Sequence, residues 1–345
     1  MVSVLCCTVS TSIADDVRSA EWPIKSFRAA SDIWPHSRGT DVTVAVIDSG
    51  VRITHEDLRG QVIAGSDKIT PGQGELDHDP LGHGTAMASI IAGHGHGPDA
   101  TQGIIGLAPG ARILPVAIRF GTSSEDADQE SNGIKYAADH GARVINMSFG
   151  GPAKSSSERE AVEYAEERDV VLVASSGNSG SPALDWPAAY PGVVSVGAVD
   201  AEGKPWVDSN YGPGLTLVAP GVNIVAAGAN SDHEYRLSDG TSDAAAYVSA
   251  EAALVRAEYP RLTAGQVVNR MVKSALNPTG RVHDDHYGYG IIRPDAALTF
   301  DIPAGPPEGP LRQVGDTASG AAGTSGVGKG VAAVHGGGER SGGVG

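Results

Sequence analysis

Cysteine is nearly absent from this sequence of 345 residues, which has only Cys6 and Cys7, adjacent to each other near the N-terminus. Adjacent cysteines cannot link distant segments, so we expect no disulfide framework, and no cysteine or histidine pattern has the spacing of a zinc site. Long apolar runs are also missing, since no window approaches roughly 18 consecutive apolar residues. The sequence therefore predicts a domain held together by its own core, without a transmembrane segment.

Positive charge is scarce as well. The chain has 25 lysines and arginines against 41 aspartates and glutamates, which gives a formal net charge of −16. This balance argues against nucleic acid or an anionic membrane surface as a partner and would attract cationic substrates. With 40% hydrophobic residues, the composition is that of an ordinary globular protein with ample material for a core.

The two ends of the chain differ in character from its middle. Residues 1–14 contain a short apolar run followed by small residues, without a basic start, and we interpret them as a truncated signal-like segment of an exported protein. We therefore expect an extracellular or cell-envelope location. Residues 15–40 form an N-terminal extension, 41–300 one folded domain, and 301–345 a Pro/Gly-rich flexible tail with too little apolar surface to fold.

Within the folded domain, Val/Ile/Ala-rich runs alternate with helical patterns. The runs "DVTVAVIDSG", "RVINMSFGG" and "VVLVASSGN" indicate buried strands, whereas "SFRAASDIW", "TAMASIIAG", the stretch from Ser242 to Tyr259 and a segment capped by Thr263 indicate helices. This alternation predicts an α/β fold whose mostly parallel central sheet has helices on both faces. Functional side chains of such folds lie in the loops after the carboxyl ends of the strands.

Four polar residues occupy such loops or helix starts. Asp48 ends a strand, His83 lies between two glycines, Asn178 lies in a strand-end loop, and Ser242 precedes an alanine-rich run. Each has an ordinary structural explanation by itself, since Asp and Asn favour turns and Ser favours helix N-caps. Together they supply a nucleophile, a base, a carboxylate that orients the base and an amide donor for an oxyanion, and this combination predicts acyl transfer.

The motifs "VAVIDSGV", "GHGTAMASI", "SSGNSG" and "GTSDAAA", in this order, make the sequence similar to the subtilisin-like serine proteases, the subtilases. The order Asp, His, Ser differs from that of chymotrypsin and of the α/β-hydrolases. The separations also agree with a subtilase core, with 35 residues from Asp48 to His83 and 159 from His83 to Ser242. The resemblance implies a subtilisin-like three-layer fold, a catalytic domain at 41–300, and a serine endopeptidase that acts on polypeptides without a cofactor.

The resemblance also implies a role for each residue of the constellation. Ser242 is expected to attack the peptide carbonyl, His83 to act as general base, and Asp48 to hold the His83 tautomer. The Asn178 amide and the Ser242 backbone N–H are expected to bind the oxyanion. An esterase is disfavoured, because "GTSDA" is not the GxSxG nucleophile elbow.

Two strand-end segments are expected to form the walls that pair with an extended substrate. Their residues are Ser148, Phe149 and Gly150 on one side and Ser175, Ser176 and Gly177 on the other. Asp185 is expected near the floor of the primary specificity pocket, where a carboxylate favours a basic residue before the scissile bond. The alternative is a solvated loop aspartate, although the acidic run at 123–130 points the same way.

Within the subtilases, "RAASDIW", "GLAPGARILPV" and "YGYGIIRPDAAL" resemble the mycosins, the proteases associated with type VII secretion. This resemblance implies a type VII secretion complex as a partner. A structural calcium ion is conceivable near the carboxylate-rich "GELDHDPLGHG", but no ligand spacing assigns a metal site.

Two residues depart from the usual subtilase pattern. Asp243 follows the nucleophile, where many subtilases have methionine, and Ala246 stands where many have proline. An acidic residue in the first turn of a helix suits the helix dipole, and the alternative is that Asp243 favours the protonated form of His83. These departures leave a second hypothesis open, a catalytically silent subtilase-fold scaffold in a secretion assembly.

Overall fold

The computed structural model describes residues 13–70, 72, 74–120 and 124–311. Its helices are α1 (Ile13–Ala20), α2 (Trp22–Ser26), α3 (His83–Ala92), α4 (Ser124–Asp139), α5 (Ser156–Glu166), α6 (Thr241–Glu258), α7 (Ala264–Ser274) and α8 (Pro294–Thr299). Its strands are β1 (Thr43–Asp48), β2 (Ser66–Asp67), β3 (His94–His96), β4 (Gln102–Ile105), β5 (Arg112–Ala117), β6 (Val144–Met147), β7 (Val171–Ser175), β8 (Val194–Val199), β9 (Leu217–Pro220), β10 (Ile224–Ala227) and β11 (Tyr235–Ser238). The signal-like segment up to residue 12, with both cysteines, and the tail from residue 312 lie outside the described residues.

Seven strands form one parallel sheet in the order β2-β5-β1-β6-β7-β8-β9. β1 therefore lies between β5 and β6, with β2 at the edge beyond β5 and with β7, β8 and β9 following β6 in chain order on the other side. The carboxyl edge beside such a strand is a topological switch point, where the connecting loops diverge and leave a crevice. Two short antiparallel pairs, β3 with β4 and β10 with β11, lie outside the main sheet.

Side-chain alternation along β1 explains the three layers. Val44 and Val46 belong to the core shared with α3 and α6, whereas Ala45 and Ile47 belong to the core shared with α4 and α5. Successive side chains of a strand point to opposite faces, so a continuous apolar strand needs cover on both sides. The predicted α/β sandwich is observed.

Helix α6 is buried on all sides, from Thr241 to Arg256. Small residues such as Ala244, Ala245 and Ala246 let it approach the sheet closely, and an all-round buried helix needs no polar face. Helix α7 begins with the predicted cap, because the Thr263 hydroxyl accepts the Gln266 N–H within a complete capping box.

The helix predicted over "SFRAASDIW" is interrupted. Arg28 has a left-handed backbone with φ of 53°, so α2 ends and a separate π-helical turn follows at Ala29–Ile33. The segment before β1 packs against the rest of the domain through three long side chains. The Arg18 Nε donates to the Gly103 carbonyl at 2.7 Å, and the indole N–H groups of Trp22 and Trp34 donate to Val222 and Leu107 carbonyls, both at 3.0 Å.

No helix in the described part of the chain is long and apolar enough to cross a membrane.

Candidate active site

Asp48 is the last residue of β1 and lies at the crevice beside the switch point. Its carboxylate is fully buried, and the His83 Nδ1 lies 2.8 Å from its Oδ1 and 3.0 Å from its Oδ2. The Ser49 N–H donates to the same Oδ1 at 2.7 Å. A buried carboxylate that faces the Nδ1 in this way fixes both the orientation and the tautomer of the imidazole.

The glycines around His83 allow α3 to begin against the end of β1. A Cβ on Gly84 would lie 2.1 Å from the Gly50 carbonyl oxygen, so no larger residue fits without backbone movement. Gly82 has φ of 70°, a left-handed conformation that favours glycine. The "GHG" motif is therefore required by the close approach of two backbones, as well as by the histidine between them.

Sequence reasoning missed the carboxylates that hold the start of α3. The partly buried Asp77 accepts the Ser49 hydroxyl at 2.7 Å and both the N–H and the hydroxyl of Thr85, at 2.8 and 2.6 Å. Asp79 accepts the His83 N–H at 3.0 Å. The only signal was the acidic richness of "GELDHDP", which was considered for calcium. Asp77 and Asp79 accept hydrogen bonds from protein donors, and the described residues contain no group of three or more metal-ligating side chains that could hold an ion.

Ser242 lies in the first turn of α6, which begins at Thr241 after Gly240. It is therefore not the N-cap of this helix, which corrects the capping interpretation. The Ser242 Oγ donates to the Ser148 carbonyl at 3.1 Å, and His83 and Ser242 line one cleft of about 590 Å³. Backbone N–H groups in a first turn have no intrahelical acceptor, so the Ser242 N–H is available to an anion.

The orientation of the Asn178 amide follows from its partners. The Thr241 N–H and hydroxyl donate to its side chain at 2.9 and 2.7 Å. A backbone N–H can only donate, so the atom that faces it is the Asn178 oxygen. The NH₂ group is thereby left for the cleft that Asn178 lines together with Ser242.

The two predicted walls border this cleft and are joined by the segment that contains Asp185. The Asp185 N–H donates to the Ser176 carbonyl at 2.9 Å, and Trp186 pairs with Gly151 through two backbone hydrogen bonds of 2.8 and 3.0 Å. A Cβ on Gly177 would lie 2.4 Å from the Asp185 Oδ2, so glycine leaves room for the carboxylate. The cleft lining includes the wall residues Ser148, Phe149, Gly150, Ser175 and Gly177, together with Asp185.

Ser176 is the exception among the predicted wall residues. It does not line the cleft, because its hydroxyl donates to the Asn210 carbonyl at 3.1 Å in the interior. Its backbone N–H donates to Val196, and its carbonyl accepts from Asp185. Both backbone groups are thus used inside the protein, and Ser176 supports the wall rather than facing a substrate.

The electrostatics of the site favour a charged histidine. Burial lowers the pKa of His83, but the charge and hydrogen bond of Asp48, with a further contribution from Asp243, outweigh it and raise the pKa to about 9. Burial raises the pKa of Asp243 itself to about 6, against the lowering effects of His83 and of the Ser238 hydroxyl, which donates to it at 3.0 Å. The negative charge of Asp243 thus contributes to the raised pKa of His83.

Comparison with known proteins gives consistent matches. Residues 39–290 match the model of the subtilase family. The chain is 32% identical to fervidolysin of Fervidobacterium pennivorans over 319 residues, which cover 84% of the chain but 45% of fervidolysin. Among solved structures, MycP1 from Mycobacterium smegmatis superimposes with a TM-score of 0.72 at 30% identity, covering 88% of this chain and 90% of MycP1. The MycP3 protease from the type VII (ESX-3) secretion system superimposes with a TM-score of 0.68 at 34% identity, covering 87% and 91%.

Proposed function

The chain belongs to the subtilase family and is a serine-type endopeptidase with a subtilisin-like fold, and we propose that Ser242, His83 and Asp48 form its catalytic triad. The observation that carries this proposal is the pairing of His83 with the buried Asp48 at 2.8 Å, in the cleft that Ser242 also lines. Resemblance to MycP1 and MycP3 agrees with the similarity to mycosins seen in the sequence motifs.

In the proposed reaction, the Ser242 hydroxyl leaves the Ser148 carbonyl and donates to the free ring nitrogen of His83. As Ser242 attacks the peptide carbonyl, His83 takes its proton, and Asp48 stabilises the imidazolium. The Asn178 NH₂ group and the Ser242 N–H donate to the oxyanion. His83 then returns the proton to the leaving amine, and water releases the acyl group from Ser242 by the same steps.

The cleft has the charge expected for a protease that prefers basic residues. Three carboxylates line it, from Asp79, Glu130 and Asp185, and no lysine or arginine of the described residues does so. Asp79 is occupied by the His83 N–H, whereas Asp185 lies between the two walls, half-buried, where burial raises its pKa. We assign Asp185 to the recognition of a Lys or Arg side chain just before the scissile bond.

A peptide library cleaved by the wild type, Asp185→Asn and Asp208→Asn tests this preference. Asp208 is an exposed aspartate outside the cleft lining, so its variant removes the same charge without touching the pocket. We expect the Asp185 variant to lose roughly tenfold or more in kcat/KM for peptides with Lys or Arg before the cleaved bond, and little for the others. Wild-type indifference to basic residues would remove the preference and leave the protease intact.

The second hypothesis is a catalytically silent scaffold in a type VII secretion assembly. The resemblance to MycP3, from such a secretion system, is the observation that favours it. A fluorophosphonate probe separates the two, because it labels only an activated serine. Labelling of the wild type that disappears in Ser242→Ala supports the protease, whereas an unlabelled, folded wild type supports the scaffold. In either case we propose an exported protein of the cell envelope or extracellular space and a type VII secretion complex as its partner.

We also propose a catalytic domain at 41–300 that follows an N-terminal extension at 15–40, and we leave a structural calcium ion as a question for experiment. Calcium titration followed by thermal unfolding tests the ion.

A further inference from the structure

Behind Ser242 lies a row of buried polar side chains that the proposed mechanism does not use. The Ser249 Oγ lies 2.9 Å from the Asn146 Oδ1, and the Asn146 Nδ2 lies 2.9 Å from the Ser148 Oγ. The Ser148 Oγ in turn lies 3.0 Å from the Ser242 carbonyl oxygen. Asn146 and Ser249 are fully buried and Ser148 is 5% exposed, so water does not compete for these contacts.

The direction of each hydrogen bond is determined by the chemistry. A carbonyl only accepts, so the single Ser148 hydroxyl proton goes to Ser242, and the Ser148 oxygen must accept from the Asn146 NH₂ group. The Asn146 oxygen then accepts the Ser249 proton. Each contact of the row therefore joins a donor to an acceptor. The hydrogen bonds all point the same way, from Ser249 toward the backbone carbonyl of Ser242.

The row joins three elements whose relative position determines the geometry of the nucleophile. Asn146 lies in β6, Ser148 in the wall that follows it, and Ser249 in α6, seven residues after Ser242 and therefore on the same face two turns away. Translation or rotation of α6 along the sheet would break at least one of the three contacts. The same movement would displace the Ser242 Oγ and N–H from His83 and from Asn178.

We propose that Asn146 and Ser249 are positioning residues that act through Ser148 to hold Ser242 in register with the substrate-binding wall. The inference rests on the proposed function, since it assigns Ser242 as the nucleophile. Apolar side chains of similar shape would fill the same space, but they would not specify the axial position of α6. Catalysis is sensitive to such placement, because displacements on the order of 1 Å can cost about 100-fold in rate.

The matched pair Ser249→Thr and Ser249→Val tests the proposal. Both variants add the same branch in the same place, and only Thr keeps the hydroxyl. We expect the Val variant to be roughly tenfold lower than the Thr variant in kcat and in the rate of fluorophosphonate labelling, with KM within about twofold. Equal kcat values for the two folded variants would overturn the proposal, as would a loss that appears in KM alone.

A second comparison applies if the added branch prevents folding. Ser249→Ala and Ser89→Ala each remove one fully buried hydroxyl, and the Ser89 Oγ hydrogen-bonds Ala86 and Ala227 away from the cleft. We expect only the Ser249 variant to lose kcat, while thermal unfolding reports any loss of stability in both. Equal losses in the two variants would show a purely structural role. A wild type that neither cleaves peptides nor takes the probe would instead refute the proposed function, and this inference with it.

Discussion

Two aspartate–histidine pairs in the described part of the chain have nearly the same geometry, because in each the histidine Nδ1 faces a fully buried aspartate. In one, the His83 Nδ1 lies 2.8 Å from Asp48, and in the other, the His96 Nδ1 lies 2.7 Å from Asp57. Both aspartates are fully buried, and both accept additional hydrogen bonds, Asp48 from Ser49 and Asp57 from the Ile104 N–H and the Tyr235 hydroxyl.

The difference lies at the other ring nitrogen. The His96 Nε2 is 3.3 Å from the Glu56 carboxylate, so a second acid occupies the position where a nucleophile would have to lie. His83 instead borders an open cleft with Ser242, Asn178 and Asp185. An aspartate–histidine pair therefore specifies an oriented imidazole and nothing more, and what faces the second nitrogen decides between catalysis and structure.

The largest expected difference in kcat is between alanine variants of the two histidines. We expect His83→Ala to lower kcat by roughly 10⁶-fold, the scale seen when a triad base is removed, because nothing else can take the Ser242 proton. His96→Ala should leave kcat unchanged and lower the free energy of unfolding by about 1–3 kcal/mol, since Asp57 loses one of its donors. Steady-state peptide hydrolysis and urea unfolding measure both. A comparable loss of kcat in the two variants would end the distinction.

Asparagine variants of the two aspartates should also differ in kcat, but by a smaller factor than the histidine variants. Asp48→Asn keeps the shape but presents the wrong group to the His83 ring, and we expect kcat to fall by about 10⁴-fold. Asp57→Asn should affect unfolding without changing kcat, because no reacting group depends on that ring. Parallel kcat and thermal-unfolding measurements on both variants provide the check, and an active Asp48→Asn enzyme would exclude Asp48 from the triad.

The pair proposed as catalytic borders a cleft that Asn178 also lines, and removing the Asn178 amide should have an intermediate effect. We expect Asn178→Ala to lower kcat by about 10²–10³-fold with little change in KM, because the NH₂ group binds the oxyanion formed during the reaction. Loss of the Thr241 contacts could also disturb the start of α6. Asn178→Asp retains their acceptor and lacks the donor, so full activity in that variant would remove Asn178 from the oxyanion hole.

The smallest effect should be a change in pH dependence. His83 acts as a base only when neutral, and its pKa of about 9 means that kcat/KM rises as the pH increases through that value. Asp243 is one cause of the high value, so Asp243→Asn should lower the pKa and shift the acidic limb to lower pH. The rate at the alkaline plateau should stay the same. A pH profile of kcat/KM that is unchanged in the variant would contradict this coupling.

The layers and the edge that carries the site were predictable because they depend on local patterns. Apolar runs such as the one that ends at Asp48 indicate doubly covered parallel strands, and parallel strands bring their carboxyl ends together. The cap at Thr263 was predictable for a similar reason, since a capping box involves only neighbouring residues.

The remaining features depend on residues that are distant in sequence. The contact between Asn146 and Ser249 spans 103 positions, and nothing in either local sequence distinguishes it from an ordinary buried polar residue. The same holds for Asp77, whose acidic neighbourhood indicated a metal as readily as a hydrogen-bonded helix start. Arg28 breaks a helical pattern through a backbone conformation that propensity does not favour for arginine.

The packing of the segment before β1 has a consequence for how the molecule unfolds. Ile24 and Ile33 belong to the same apolar core as α3 and α6. The indole N–H groups of Trp22 and Trp34 donate hydrogen bonds to backbone carbonyls of the domain. A segment that shares a core cannot melt before it without exposing that core to water. The extension and the catalytic domain should therefore unfold in a single cooperative transition, as parts of one thermodynamic unit.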